Sequence, residues 1–180
     1  MTMRIGFVDK SLENYHANVF HGLITNDLKD RGFVVAGCTA LDEAGGREWA
    51  SKNGVAYHAA PERLNEQVDC FMVLAPGDPS VHLELCQRVF LFGKPTYVDK
   101  TFAPDLATAR RIFELADRHR VSVQTTSALR YTDVQRHVAK LGGGGAGRVR
   151  HMVAWGGGRS FAEYAIHPVE LVVSCMGPGA

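Results

Sequence analysis

The sequence predicts an α/β fold built on a doubly wound parallel sheet. Short apolar strands alternate with helical segments from about residue 4 to residue 125. The strands are mostly continuous apolar runs, which indicates a sheet covered by helices on both faces. Because crossovers between parallel strands are right-handed, a doubly wound sheet is the natural topology. The length of 180 residues fits one such domain and the beginning of a second.

The first part of the chain contains three predicted strands and the helices between them. The apolar residues from 15 to 28 recur at helical spacing, and Gly32 is a typical residue after a helix end. Asn53-Gly54 marks a second helix end in the same way. The predicted strands cover residues 4–8, 33–38 and 55–58, and the predicted helices cover residues 15–28, 43–52 and 61–65.

The next part repeats the alternation of strand and helix, with the clearest signals of the chain. Ser80 is a candidate N-cap and Gly93 a candidate stop for one helix. A second helix has a strongly apolar face. The predicted strands cover residues 70–74, 96–98 and 121–125, and the predicted helices cover residues 80–92 and 105–118.

After Arg130 the pattern changes to a helix, a half-exposed strand and a last helical segment. We predict the helix at residues 133–141, a glycine-rich connector at 142–147 and the strand at 149–155. These few elements are too little for an independent core. The predicted domains are therefore residues 1–128, the doubly wound sheet, and residues 129–180, the beginning of a second α+β domain.

Composition and charge narrow the classes of function. A net charge of +1 argues against a broad nucleic-acid footprint. No apolar run approaches the roughly 18 residues of a membrane span, and the N-terminus has no signal-peptide pattern. The four cysteines form no CxxC pair, which favours free thiols in a reducing compartment. We therefore expect a cytoplasmic protein with no nucleic-acid or membrane partner.

Lys100 follows a predicted strand at the edge where ligands bind in open α/β sheets. The run from residue 92 to residue 101 is typical of a helix end, a short strand and then this lysine. An ammonium there serves as hydrogen-bond donor, fixed charge or proton carrier. Lys100 is therefore the leading candidate for a functional residue, beside the plain interpretation as a solvated lysine at a strand end.

An ordered set of short motifs surrounds this lysine. The set consists of Ala75-Pro76 after a strand, His82-Leu83-Glu84, Gly93-Lys94, Asp99-Lys100-Thr101, Arg130-Tyr131 and a glycine-rich segment with Glu163 and His167. In this order the motifs resemble those of the Gfo/Idh/MocA oxidoreductases, the glucose–fructose oxidoreductase and inositol dehydrogenase group. The resemblance covers most of the chain, and the order of the motifs is more specific than any one of them.

The resemblance implies a Rossmann-like domain that binds NAD or NADP, followed by a domain with a large, mostly antiparallel sheet. It implies hydride transfer to or from a sugar, a polyol or a related hydroxy or keto compound. Lys100 would lie between nicotinamide and substrate, His167 would take the proton of the substrate hydroxyl, and Glu163 would assist it. The implied cofactor-binding residues are Asp9, Lys10, Ser11, Thr39, Ala75, Pro76, Asp99 and Lys100.

The first loop departs from the pattern G-x-G-x-x-G that is usual in the family. Residues 8–16 contain no glycine, and Asp9 and Glu13 add negative charge where a pyrophosphate is expected. Thr39 stands where an acidic residue would hold the ribose, with Asp42 as a displaced candidate. We therefore expect cofactor binding that is weaker, differently shaped or lost.

Several histidines have plain interpretations beside functional ones. His16 and His21 have no third ligand at a convincing spacing, so we predict no metal site. His82 is expected to be structural. His167 is either a helix-capping or core residue or a catalytic one, and Pro168 favours a helix that His167 caps and Pro168 begins.

Two functions from different classes remain open. One is a cytoplasmic NAD(P)-dependent oxidoreductase of this family, or a fragment of one, that acts on a small molecule. The other is a non-catalytic Rossmann-like binding or regulatory module, or an inactive fragment of such an enzyme. Because the family's second domain is longer than the part of the chain after Arg130, we expect a truncated domain, an open sheet edge and a homo-oligomer formed through it.

Overall fold

Five parallel strands form one sheet in the computed structural model, which describes residues 2–143 and 149–177. The strands are β1 (Met3–Asp9), β2 (Phe33–Ala40), β3 (Cys70–Val73), β4 (Thr96–Val98) and β5 (Val123–Gln124). Their order in the sheet is β2-β1-β3-β4-β5, and each neighbouring pair is parallel. The predicted fold class, a doubly wound parallel sheet with flanking helices, is confirmed.

Helices connect the strands and continue after the sheet. They are α1 (Tyr15–Gly22), α2 (Glu43–Asn53), α3 (Pro61–Gln67), α4 (His82–Val89), α5 (Leu106–His119), α6 (Asp133–Gly143), α7 (Phe161–Tyr164) and α8 (Ile166–Met176). A π-helical segment, Leu23–Asp27, extends α1, so together they cover most of the predicted helix. Among the described residues, no helix combines the length and the apolar character that crossing a bilayer requires.

Side-chain caps explain where three of these helices begin. The residue before each helix is extended and carries a short polar side chain, which accepts a hydrogen bond from a first-turn amide. The caps are Asn14 to the amide of Ala17 at 3.0 Å, Asp42 to that of Gly45 at 3.1 Å and Asp105 to that of Thr108 at 2.7 Å. Substitution of such a cap by alanine typically costs about 1 kcal/mol.

The strand order reverses between β1 and β3. The chain moves from β1 to β2 on one side, whereas β3, β4 and β5 follow on the other side. The strand predicted at residues 55–58 is reduced to a single parallel bridge between Tyr57 and Cys38 of β2. Ligands in sheets of this type bind beyond the carboxyl ends of the strands at the reversal.

Apolar side chains fill both faces of the sheet. Neighbouring residues of β1 point to opposite faces, so Phe7 and Val8 belong to different clusters. Phe7 packs with Trp49, both fully buried, with ring centroids 6.1 Å apart. The other cluster includes Ile112 of the amphipathic helix α5. Burial of each such side chain contributes about 1.5–3 kcal/mol.

The contacts divide the chain into two compact units, Met1–Thr125 and Thr126–Ala180. The first holds the sheet with α1 to α5, and the second holds α6, α7 and α8. The strand predicted at residues 149–155 does not form, and these residues have no regular structure. The predicted connector at 142–147 lies mostly outside the described residues, and the predicted domain boundary at residue 128 stays a prediction.

The last helix begins two residues earlier than Pro168 alone indicates, at Ile166. Ala165 precedes α8, and His167 is its second residue rather than its cap. Pro168 is the third residue, where the missing N–H costs little because first-turn amides have no partner within a helix. The expected cap at His167 is therefore wrong, and α7 and α8 are separated by Ala165 alone.

Candidate functional site

A small cleft opens at the carboxyl ends of β1 and β3, where the strand order reverses. Its volume is about 150 Å³, and its walls include five of the residues predicted to bind the cofactor, Asp9, Lys10, Ser11, Ala75 and Pro76. The structure therefore brings these five residues together. The cleft is smaller than the roughly 300–1,000 Å³ of typical small-molecule pockets.

Asp9 is bonded into the floor of this cleft. Its side chain is buried, and its carboxylate accepts hydrogen bonds from the amide of Ser11 at 3.2 Å, the amide of Ala75 at 3.1 Å and the side chain of Asn14 at 2.9 Å. Burial raises the pKa of Asp9, and these hydrogen bonds oppose the increase. Asp9 thus joins the loop after β1 to the loop after β3, where Ala75 adopts a left-handed conformation with φ 46°.

The same loop commits several of its polar groups to internal contacts. Asn14 caps α1 through its oxygen and donates to the carbonyl of Ser11 at 2.7 Å through its nitrogen. Lys10 forms an ion pair with Asp78 at 2.8 Å, and both residues line the cleft. A dinucleotide pyrophosphate needs uncommitted amides at a helix N-terminus and no negative charge beside them. The first loop therefore does not fit a pyrophosphate.

The predicted ribose-binding position is also altered. Thr39 lies in β2 beside Val8 of β1 and is fully buried, and its hydroxyl has no hydrogen-bond partner within residues 2–143 and 149–177. Asp42, the displaced acidic candidate, is exposed and caps α2. Neither residue presents a carboxylate at the cleft in the way that the resemblance implies.

Asp99 and Lys100 follow β4 at the same edge of the sheet, and both are buried, with 1% and 7% of their surface exposed. The amide of Asp99 donates to the carbonyl of Val73 in β3 at 2.9 Å, which fixes the backbone. The following peptide bond, Lys100–Thr101, is cis. The plain interpretation of Lys100 as a solvated lysine is therefore wrong for this structure.

His16 is the residue that sequence reasoning missed. It lies in the first turn of α1 and its Nδ1 contacts the carboxylate of Asp99, which also accepts a hydrogen bond from the hydroxyl of Tyr97 at 3.2 Å. His16 and Asp99 are 83 positions apart, so no local motif contains both. The signal was topological, since each residue follows the carboxyl end of a parallel strand.

His167 and Glu163 belong to the second unit. Nδ1 of His167 lies 2.7 Å from the hydroxyl of Ser127, which is buried, and its ring packs against Tyr164 at 5.9 Å. The amide of Glu163 is capped by Ser160 at 3.3 Å, whereas its carboxylate makes no hydrogen bond or ion pair with any described residue. Their predicted catalytic roles stay predictions.

Two other histidines of the first unit have aromatic or carbonyl partners. His82 is fully buried, and its ring nitrogens face the carbonyls of Leu74 at 2.6 Å and Phe102 at 3.0 Å, so the structural interpretation is confirmed. His21 packs against Trp49 with ring centroids 5.5 Å apart. In the part of the chain that the structure describes, no group of three or more His, Cys, Asp or Glu is arranged to hold a metal ion.

Comparison with known proteins identifies the fold. The sequence matches no protein-family model and no curated protein. A putative NADPH-dependent oxidoreductase from Desulfitobacterium hafniense has a TM-score of 0.80 at 18% identity, covering 98% of this chain and 56% of that one. The myo-inositol 2-dehydrogenase from Lactobacillus plantarum has a TM-score of 0.63 at 17% identity, covering 81% of this chain and 42% of that one. A dehydrogenase from Clostridium difficile has a TM-score of 0.60 at 15% identity, covering 77% of this chain and 43% of that one.

Two of these solved structures are dehydrogenases and the third is a putative oxidoreductase, so the resemblance to the Gfo/Idh/MocA oxidoreductases is confirmed at the level of the fold. At such low identity the likeness shows the fold alone. The chain spans about half the length of the solved structures that it matches.

Proposed function

We propose that this chain carries the reactive edge of an oxidoreductase that acts on a sugar, a polyol or a related hydroxy or keto compound. The observation that carries the proposal is the buried pair Asp99 and Lys100 at the carboxyl end of β4, in a fold shared with solved oxidoreductases. The Lys100 ammonium would donate a hydrogen bond to the substrate oxygen and stabilise negative charge that develops on it.

His167 and Glu163 complete the proposal as residues of the second unit. His167 would exchange a proton with the substrate hydroxyl, and its Nδ1 is already held by Ser127 at 2.7 Å. Glu163 has an uncommitted carboxylate among the described residues and would assist that histidine. This division of roles follows the family resemblance and is a proposal for this chain.

NAD or NADP is the cofactor that this fold class implies, and when bound it supplies the hydride chemistry. The first loop with its buried Asp9 does not fit a pyrophosphate. For this reason no catalytic step is assigned to the cofactor, and cofactor binding is the first property to measure.

The test is a fluorescence titration of the full-length protein with NADH and with NADPH. Binding of either one supports the oxidoreductase and selects the cofactor. myo-Inositol is then the first substrate to assay, because a solved neighbour is a myo-inositol 2-dehydrogenase. Lys100→Met is expected to lower turnover by a factor of about 10²–10⁴, whereas Lys52→Met, an exposed lysine of α2, leaves it unchanged.

A second candidate function is a non-catalytic Rossmann-like binding module, which the buried Asp9 carboxylate in the first loop favours. Absence of binding by both NADH and NADPH would overturn the oxidoreductase and leave this module as the function. Turnover that survives Lys100→Met would move the reactive site elsewhere.

A further inference from the structure

The contact between His16 and Asp99 joins a half-buried imidazole to a buried carboxylate. Asp99 exposes 1% of its side chain and His16 exposes 21%. A buried charge is stable only when it is paired or hydrogen-bonded, and here Nδ1 of His16 and the hydroxyl of Tyr97 serve the two carboxylate oxygens. The contact lies beside Lys100, at the edge where the fold places ligands.

The chemistry of the carboxylate fixes which ring nitrogen of His16 donates to it. An ionised carboxylate only accepts hydrogen bonds, so Nδ1 of His16 must carry the proton that it donates. The lone pair of the neutral ring is then on Nε2. This nitrogen makes no hydrogen bond with a described residue, and it is not among the enclosed polar atoms that lack a partner. Nε2 is therefore open to a ligand.

Aromatic packing holds this arrangement in place. The ring of Phe20, one helical turn after His16, meets the imidazole edge-on at 5.8 Å and 88°. The same ring meets Tyr97 at 6.1 Å and 75°. Phe20 thus packs against His16 and Tyr97, the two residues whose side chains contact the Asp99 carboxylate, and this packing reduces their rotational freedom.

We propose that His16 and Asp99 form a proton-transfer dyad, in which Nε2 of His16 takes a proton from a ligand hydroxyl and Asp99 is the positioning residue. The inference rests on the proposed function for the class of ligand, a small hydroxy compound. It makes His16, in the unit that contains Lys100, an alternative to His167 as the proton acceptor.

The step is a simple proton transfer. The ligand O–H bond breaks, its electron pair stays on the oxygen, and an N–H bond forms at Nε2. The resulting imidazolium is stabilised by the carboxylate of Asp99, which keeps its negative charge. In the reverse direction the imidazolium returns the proton to an oxyanion, so the dyad serves both oxidation and reduction.

Imidazole nitrogen NMR on the full-length protein labelled with ¹⁵N-histidine tests the dyad. Neutral His16, assigned with His16→Gln, is expected in the Nδ1–H form. In Asp99→Asn the amide donates to Nδ1, so the ring shifts to the Nε2–H form. His21 on the same helix is the internal control, because its ring packs on Trp49 and has no carboxylate partner in the described structure.

An Nε2–H form of His16 in the unmodified protein overturns the dyad without any variant, so the test holds even when Asp99→Asn does not fold. With myo-inositol turnover established, Asp99→Asn is expected to lower kcat by about 10²–10⁴-fold with little change in KM. If Asp99→Asn changes the tautomer of His16 but leaves kcat unchanged, the contact only holds α1 in place and the proton-transfer role is rejected. Failure of both nicotinamide titrations rejects the proposed function but not the tautomer result.

Discussion

Asp9 shows how one residue changes the chemistry of a loop. Loss of hydration on burial of a carboxylate costs several kcal/mol, and here hydrogen bonds from Ser11, Asn14 and Ala75 offset that cost. Hydrogen bonds to a charged group contribute about 1.5–3 kcal/mol each. The carboxylate therefore joins the two loops while it excludes a second anion from the same donors.

The raised pKa of Asp9 predicts a particular dependence of stability on pH. The folded protein holds this proton more tightly than the unfolded chain, whose value is near 3.8. The contribution is thus fully present below pH 3.8 and is lost as the pH rises through the folded pKa. Asp9→Asn removes the contribution. In urea unfolding, the free energy of unfolding of the original protein relative to that of Asp9→Asn is expected to be highest in acid and lowest near neutrality.

Asp69 is the matched control with the opposite sign. The guanidinium of Arg4, 2.8 Å away, lowers the pKa of Asp69 from 3.8 to about 2. Its contribution to stability is present above pH 3.8 and is lost as the pH falls towards 2. Asp69→Asn should therefore lower stability near neutrality and have little effect in strong acid. The same trend with pH for both variants would contradict the assignment of Asp9.

Sequence reasoning located the residues of the cleft but not what they do. Asp9 was noticed as a negative charge, yet its partner Ala75 lies 66 positions away. From the sequence, His16 is considered only as a metal ligand, because its carboxylate partner is in another strand-end loop. Strand-end positions can be inferred from sequence, whereas the pairing between them depends on the arrangement of the strands in the sheet.

Lys94 is a link between elements. Lys94 lies in the segment before β4, and its ammonium donates to the carbonyl of Val68 at 2.7 Å and to that of Asn65. It therefore caps the C-terminal end of α3. Carbonyls at this end of a helix lack partners within the helix and attract positive charge. Burial lowers the pKa of Lys94, as expected for an ammonium held away from water.

Loss of this link should be measurable. Lys94→Met keeps much of the aliphatic stem and removes both hydrogen bonds, so we expect the free energy of unfolding to fall by about 1.5–3 kcal/mol. Lys52→Met on the exposed face of α2 is the control and should change little. Equal effects of the two variants in urea unfolding would show that Lys94 does not hold α3.

Elements that carry their own signals were predicted well, and those that need a distant partner were not. Helix α5 has an apolar face and a cap at Asp105, so its limits follow from sequence. Residues 149–155 alternate like a strand but pair with no strand of the sheet. A pattern of period two gives a strand only when a neighbour supplies the hydrogen bonds.

The two units differ in how much of their apolar surface is buried. The buried hydrophobic residues of the described structure all belong to the first unit, whereas in the second only Ser127 is buried. Trp155 and Phe161 of the second unit expose 93% and 88% of their surface. Large exposed aromatic side chains of this kind favour association.

We therefore propose a homo-oligomer in which the second unit contributes to the contact. Light scattering of the full-length protein is expected to give a molar mass above that of the monomer and rising with concentration. Trp155→Ser with Phe161→Ser should lower that mass, whereas Tyr15→Ser, an exposed aromatic of the first unit, should not. A clean monomer at all concentrations contradicts the proposal.

The two tryptophans give each unit its own optical reporter. Trp49 is fully buried in the first unit, where its indole donates to Asn18 at 2.7 Å, and Trp155 is nearly fully exposed in the second. A buried indole emits at shorter wavelength than a hydrated one, so Trp155→Phe leaves a spectrum that belongs to the sheet domain alone. Quenching of that remaining emission by energy transfer to NADH would place a bound nicotinamide within energy-transfer range of Trp49.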